Sequence, residues 1–232
     1  VKQPTDLWRV APDEGSVGTI AWAPDPTPSR LAVLSSDDEL LLVDAEHETI
    51  EMLTGHADGD DLAWTSNGRY LAVYRDGQPT VLDLEADTDH RFDVPECGPF
   101  LGESEMLSWG PDDRYLAYRF VDFDTKQVGV IDTDEDELAW RSREQAYSTS
   151  TPQWLDEGRL LLDRSGKQGT VREVVAIDVD DGSEQVLYRE ENREYGTLSR
   201  GAPVVSPDGD RIAIALPEDG WEHIHVIDVT SG

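Results

Sequence analysis

Aspartates give this sequence its best prospect of chemistry. Five of them (Asp44, Asp83, Asp132, Asp178 and Asp228) each follow an apolar residue at the end of similar segments. A ring of carboxylates would hold a cation. An Asp at the start of a hairpin would instead accept backbone N–H groups in the turn, and recurrence within one chain favours the turn. Asp132-Thr-Asp-Glu-Asp136 begins like a calcium loop, but its sixth position is Glu137 rather than Gly and its twelfth is Arg143 rather than Glu. Asp178-Val-Asp-Asp-Gly182 is one residue short of the same pattern. Among His47, His56, His90, His223 and His225, only His223 and His225 share a strand face, and they have no third ligand. Cys97 is the single cysteine, which excludes a disulfide framework and a Cys-based zinc site. Ser165 and Ser206 fall in turns rather than in a Gly-x-Ser-x-Gly elbow. Gly166-Lys-Gln-Gly-Thr is too short for a phosphate loop. No catalytic, cofactor-binding or metal residue is therefore assigned, and no cofactor is expected.

The elements that carry these residues come from a repeated phrase. Its clearest copy is Val205-Ser-Pro-Asp-Gly-Asp-Arg-Ile-Ala213. Trp64-Thr-Ser-Asn-Gly-Arg-Tyr-Leu-Ala72 and Trp109-Gly-Pro-Asp-Asp-Arg-Tyr-Leu-Ala117 match it closely. A shorter copy starts at Trp154 and a longer one at Trp22. The starts at 22, 64, 109, 154 and 205 are separated by 42, 45, 45 and 51 residues. Each copy reads as an apolar strand, a polar turn and an alternating strand, then a third strand ending in the recurrent Asp and a fourth, more polar strand. The fourth strands are expected at 49–53, 90–94, 137–140 and 184–187. Four short antiparallel strands per repeat of about 45 residues are the pattern of a propeller blade. No window sustains helical periodicity. The expectation is an all-β, single-domain β-propeller over 1–232, with blades at about 16–54, 58–95, 103–141, 148–188 and 200–232. Residues 5–10 are spaced like a spare fourth strand and are expected to complete the last blade, which stops where its own fourth strand should begin. The recurrent Trp residues are expected to pack between blades; a ligand cage is the alternative. Loops 96–105, 141–150 and 189–200 vary most and are the expected partner surface, with Arg141, Arg143, Arg189, Arg193 and Arg200 among them.

Charge narrows the partners. With 50 acidic and 19 basic residues, the net charge is −31. Neutralising phosphates needs the opposite sign, so nucleic acid and anionic membrane surfaces are excluded as partners. The acids are spread along the chain rather than blocked in a tail, which points to a surface adapted to molar salt, as in a halophilic archaeon; an acidic patch for a basic partner is the alternative. No apolar run spans a membrane and no signal-peptide layout opens the chain, so a cytoplasmic location is expected. The sequence starts at Val1 rather than Met, and a processed, trimmed or excised chain is expected.

The phrase resembles the Ser-Pro-Asp-Gly-Arg-x-Leu-Ala blades of TolB-like and prolyl oligopeptidase-family propellers. It is less similar to WD repeats, of which Thr54-Gly-His56 is a single echo. Pro207-Asp-Gly209 followed by Asp219-Gly-Trp221-Glu-His-Ile-His-Val-Ile-Asp228 resembles a unit of the N-terminal propellers of prolyl oligopeptidase-family peptidases, such as acylaminoacyl peptidases. The resemblance implies a C-terminal hydrolase domain that carries the catalytic Ser, Asp and His, and a propeller that limits access to peptides. None of those catalytic residues is on this chain. The family's propellers usually have more than five blades, and this departure favours a fragment of a longer chain. The expected function is thus a non-catalytic, substrate-gating propeller that meets peptide substrate or a protein partner on one face. A free-standing TolB-like scaffold is the alternative. A propeller enzyme with an axial site ranks last, because segments 18–23, 60–64 and 105–109 offer no concentrated polar set beyond acids.

Overall fold

A computed structural model describes residues 16–24, 29–54, 57–94, 106–122, 125–142, 147–149, 151–166, 170–191, 201–218 and 221–230. Every regular element among them is a β-strand. The first sheet contains β1 (Val17–Trp22), β2 (Arg30–Ser35), β3 (Leu40–Asp44) and β4 (Thr49–Thr54). The second contains β5 (Asp58–Trp64), β6 (Tyr70–Arg75), β7 (Gln78–Asp83) and β8 (Thr88–Arg91). The third contains β9 (Leu107–Trp109), β10 (Tyr115–Asp122), β11 (Thr125–Asp132) and β12 (Glu137–Arg141). The fourth contains β13 (Tyr147–Thr149), β14 (Gln153–Trp154), β15 (Arg159–Gly166), β16 (Val171–Asp178) and β17 (Glu184–Glu191). The fifth contains β18 (Val204–Val205), β19 (Arg211–Glu218) and β20 (Trp221–Asp228). Each sheet is an antiparallel meander with neighbours in chain order, and β13 and β14 both pair with β15. This is the β-propeller architecture expected from the repeat. The fifth sheet has three strands. Residues 5–10, expected to complete it, lie outside the described residues.

Three boundaries differ from expectation. β17 runs from Glu184 to Glu191 rather than 184–187, because the eight-residue β16 pairs with it as far as Glu191, inside the expected loop 189–200. The fourth strand of the second sheet is Thr88–Arg91 rather than 90–94. Asp83 Oδ1 accepts the N–H groups of Glu85 and Ala86, which closes the hairpin early and pairs Asp83 with Thr88. In the expected loop 141–150, β13 forms three further pairs with the end of β15. β15 and β16 run eight residues each, and that length leaves an edge for β13 to cover.

The described residues fall into two compact units, the first running to Phe92 and including 106–107, the second holding 93–94 and everything from Ser108 on. In the first unit, Ala32, Leu34 and Leu40 of the first sheet pack on Leu62, Leu71, Val73 and Leu82 of the second. In the second unit, Ala117, Val130 and Trp140 of the third sheet pack on Leu160, Leu162, Val175 and Ile177 of the fourth. The other face of the fourth sheet, with Leu161, Val174, Ala176 and Leu187, packs on Ile212, Ile214 and Leu216 of the fifth. Strand alternation supplies both faces of each sheet: Leu160 and Leu161 are neighbours that point into different cores.

Two of the recurrent Trp residues pack between sheets as expected and follow one rule, whereas Trp22 is 59% exposed and does not. Trp64 donates its indole N–H to the carbonyl of Ala21 at 3.0 Å, and Trp154 donates to Ser108 at 3.2 Å. Each acceptor immediately precedes the corresponding Trp of the preceding sheet. Arg30 adds a second bridge, donating to the Gly68 carbonyl at 2.8 Å.

Candidate functional site

The turns carry the chemistry-bearing residues. All five recurrent aspartates accept N–H groups of the turns that follow them. Asp44 takes those of Glu46 and His47, and Asp83 those of Glu85 and Ala86. Asp132 takes Asp134 and Glu135, Asp178 takes Asp180 and Asp181, and Asp228 takes Thr230. The aspartates are thus turn residues, as their recurrence suggested. Four residues past the first four of them, the backbone turns left-handed: Glu48 (φ 53), Asp87 (52), Asp136 (54) and Gly182 (69). In three of these four places the chain carries an acid where glycine would be unstrained.

Two of the aspartates also anchor the arginine of their phrase. Arg69 pairs with Asp83 through Nη2 at 2.6 Å and Nε at 3.2 Å. This ion pair, with the backbone N–H groups, holds the Asp83 carboxyl down at about 2. Arg114 pairs with Asp132 at 2.5 Å. Burial alone would raise the Asp132 carboxyl, but Arg114 and two backbone donors outweigh it and the net shift is downward.

The second unit holds a cleft of about 680 Å³ where these turns converge. The β9–β10, β14–β15 and β18–β19 turns line it with Asp112, Asp156, Glu157 and Asp208, and the β16–β17 turn adds Asp180. Arg114 and Tyr115 form its wall. Arg114 lies 4.7 Å over the Tyr115 ring, which in turn stacks on Trp154 at 6.2 Å. The buried Tyr115 hydroxyl donates to Asp180 Oδ1 at 2.5 Å. Burial first, and then this bond, push the phenol up to about 12. At neutral pH it is therefore a fixed donor rather than a base or nucleophile. Asp156 is occupied with the N–H groups of Gly158 and Arg159, and Asp208 accepts from the Ser206 hydroxyl at 2.6 Å. The cleft is a preorganised acidic surface suited to holding a cationic or hydrogen-bond-donating group. Among the described residues, no group of three or more His, Cys, Asp or Glu is placed to hold a metal ion.

The sequence did not single out this cleft, because each of its turns reads as an ordinary repeat turn. The three loops expected to form a partner surface lie largely outside the described residues, as do Cys97 and Arg143, Arg193 and Arg200. Arg189 is described, and it is committed to an ion pair with the buried Glu173, which also holds Arg164 at 3.0 Å. No helix among the described residues is long and apolar enough to cross a membrane.

No family model and no curated protein matches the chain. Solved structures do. Dipeptidyl peptidase 4 from Porphyromonas gingivalis superposes with a TM-score of 0.67 at 12% identity, over 86% of this chain and 34% of that one. Hydrazine synthase from Kuenenia stuttgartiensis gives 0.61 at 18%, over 97% and 66%. TolB from Acinetobacter baumannii gives 0.53 at 17%, over 93% and 52%. The chain spans about a third of the length of the peptidase and about half that of TolB. Five antiparallel meander sheets and these neighbours together show that the chain has the β-propeller fold, like that of TolB and the propeller of dipeptidyl peptidase 4.

Proposed function

We propose that this chain is the non-catalytic, substrate-gating propeller of a prolyl oligopeptidase- or acylaminoacyl-peptidase-like serine peptidase. The observation that carries the reading is the superposition on dipeptidyl peptidase 4, with a TM-score of 0.67 against 0.53 for TolB. The Asp-Gly-Trp unit that ends in β20 supports it from the sequence side. In this reading a C-terminal hydrolase domain supplies the catalytic residues. The propeller meets peptide substrate on one face, in the cytoplasm, with neither nucleic acid nor membrane as partner. The acidic cleft would favour peptides with a free amine or basic side chains. The test is fluorophosphonate labelling of the intact native protein, with hydrolysis assayed on peptides of increasing length. Labelling, with activity that falls sharply for long or folded substrates, is expected. An unlabelled protein that co-purifies with stable partners would replace this reading with a TolB-like scaffold, which the match over 93% of this chain favours.

We also infer adaptation to molar salt from the net charge of −31. Self-repulsion of that size is screened at molar salt, where the Debye length is about 3 Å, and acts over about 30 Å at 0.01 M. Circular dichroism should show loss of β structure on dialysis to millimolar salt. An unchanged spectrum would refute the adaptation.

A further inference from the structure

One turn of the repeat phrase carries an amide where its two closest copies carry an acid. The sequence has two asparagines, Asn67 and Asn192, and only Asn67 is followed by glycine. Asn67 is exposed in the turn between β5 and β6. Its Oδ1 accepts the Arg69 N–H at 2.8 Å and the Thr65 hydroxyl at 2.9 Å. The Gly68 N–H closes the turn on the Thr65 carbonyl at 2.9 Å. The turn between β18 and β19 makes the same three bonds around an acid. There Asp208 Oδ1 accepts the Asp210 N–H at 3.2 Å and the Ser206 hydroxyl at 2.6 Å, and Gly209 donates to the Ser206 carbonyl at 2.9 Å. Between β9 and β10, Asp112 accepts the Arg114 N–H at 3.2 Å, and Asp113 donates to the Gly110 carbonyl at 3.0 Å. The residue that follows is left-handed in all three turns: Gly68 (φ 67), Asp113 (62) and Gly209 (73). A carboxylate therefore fits this turn as well as an amide does.

We propose that Asn67 is a site of spontaneous deamidation, and that the folded turn directs the reaction to aspartate rather than isoaspartate. Gly68 has no Cβ to obstruct its own nitrogen. The two bonds to Oδ1 fold the Asn67 carboxamide back over the Gly68 peptide, which holds the reacting groups together. Base removes the Gly68 N–H proton, and the nitrogen attacks Asn67 Cγ. The Arg69 N–H and the Thr65 hydroxyl already point at the oxygen on which negative charge then builds. The Cγ–Nδ2 bond breaks, its nitrogen leaves as ammonia with a proton from water, and a cyclic imide remains. Water opens the imide by one of two routes. Attack at Cγ cleaves the new bond and returns the ordinary main chain with an aspartate at position 67. Attack at the main-chain carbonyl carbon leaves the chain running through Cβ and Cγ as isoaspartate. Either way one water is consumed and one ammonia released. The second route lengthens the turn by a methylene, so its bonds cannot all re-form. The Gly68 carbonyl also receives Arg30 of β2 at 2.8 Å, and a longer backbone would disturb that link between the first and second sheets. Aspartate keeps every one of these bonds and adds one negative charge to the net −31.

The test is incubation of the native protein in molar salt at mildly alkaline pH, followed by peptide mapping with mass spectrometry. Isoaspartate is counted by enzymatic methyl transfer. Asn67 is expected to be lost several-fold faster than Asn192, with aspartate as the major product. The same chain held unfolded in denaturant is expected to give isoaspartate in excess. Asn67→Gln is expected to stop the reaction at this position. Asn67→Asp is expected to fold, and to unfold in molar salt at the parent's denaturant midpoint or above it. A native protein that keeps Asn67 while the unfolded chain loses it, or that loses Asn192 first, overturns the proposal. So does isoaspartate as the major native product, or a lowered midpoint for Asn67→Asp.

Discussion

Two glycines with nearly the same backbone provide a controlled test of sheet packing in the second unit. Gly209 (φ 73) lies in the β18–β19 turn and Gly182 (φ 69) in the β16–β17 turn. Placing an L residue in this left-handed region costs roughly 1–2 kcal/mol. A Cβ at Gly182 would meet nothing closer than the Trp140 ring at 3.6 Å, an ordinary contact. A Cβ at Gly209 would lie 1.8 Å from the backbone oxygen of Leu155 and 2.9 Å from its carbonyl carbon. A carbon and a carbonyl oxygen rest at about 3.3 Å or more, so the two turns would have to part by roughly 1.5 Å. Neither side can swing aside, because both are main chain. Leu155 is buried in the core between the fourth and fifth sheets, so the separation opens that core. Strain of this kind costs typically about 1–3 kcal/mol beyond the backbone term. We expect Gly182→Ala to destabilise by about 1 kcal/mol and Gly209→Ala by about 3 kcal/mol or more. The assay is denaturant unfolding at fixed molar salt, comparing midpoints at equal slope. If the two variants agree within about 0.5 kcal/mol, which is within the extrapolation error, the close approach of the two turns is wrong.

The left-handed acids make the converse prediction: Glu48→Gly and Asp136→Gly should each stabilise by about 0.5–1 kcal/mol in the same assay, because strain is relieved while the Asx bonds of Asp44 and Asp132 remain. Asp83 titrates at about 2 against an ordinary 3.8, so its pairing with Arg69 stabilises the fold fully above 3.8. That contribution is lost as pH falls through about 2; Asp83→Asn should flatten this part of the acid unfolding profile, and an unchanged profile would refute the ion pair's role. Tyr115 titrates at about 12 against an ordinary 10.0, so its contribution is complete below 10 and declines as pH rises towards 12. Ultraviolet titration of the phenolates should show a late-titrating component that is missing in Tyr115→Phe.

Much of this molecule was legible in the sequence because its information is local and repeated. The period of the phrase, the alternation in segments such as Arg69-Tyr-Leu-Ala-Val-Tyr74 and the Asp after each third strand are short-range patterns. Strand sterics and Asx hydrogen bonds convert them directly into meander sheets with closed hairpins. The start of β8 was misplaced because the Asp83 bonds decide where that hairpin turns, and a polar stretch gives no cue to that register. β13 was missed because its partner strand, and not its own composition, makes it a strand.

Only the tertiary structure decided which faces meet and what lines the cleft. Asp112, Asp156, Asp180 and Asp208 belong to four turns separated by tens of residues, and nothing local distinguishes them from the other turn acids. Their convergence follows from stacking the third, fourth and fifth sheets through Trp140, Leu160, Leu161 and Ile212. The exposure of Ile20 and Ile224 is equally invisible in sequence, since both read like any core residue of the repeat. An apolar residue is declared buried or exposed only by the neighbour that covers it, and the repeat states that a neighbour is needed without stating which one it is.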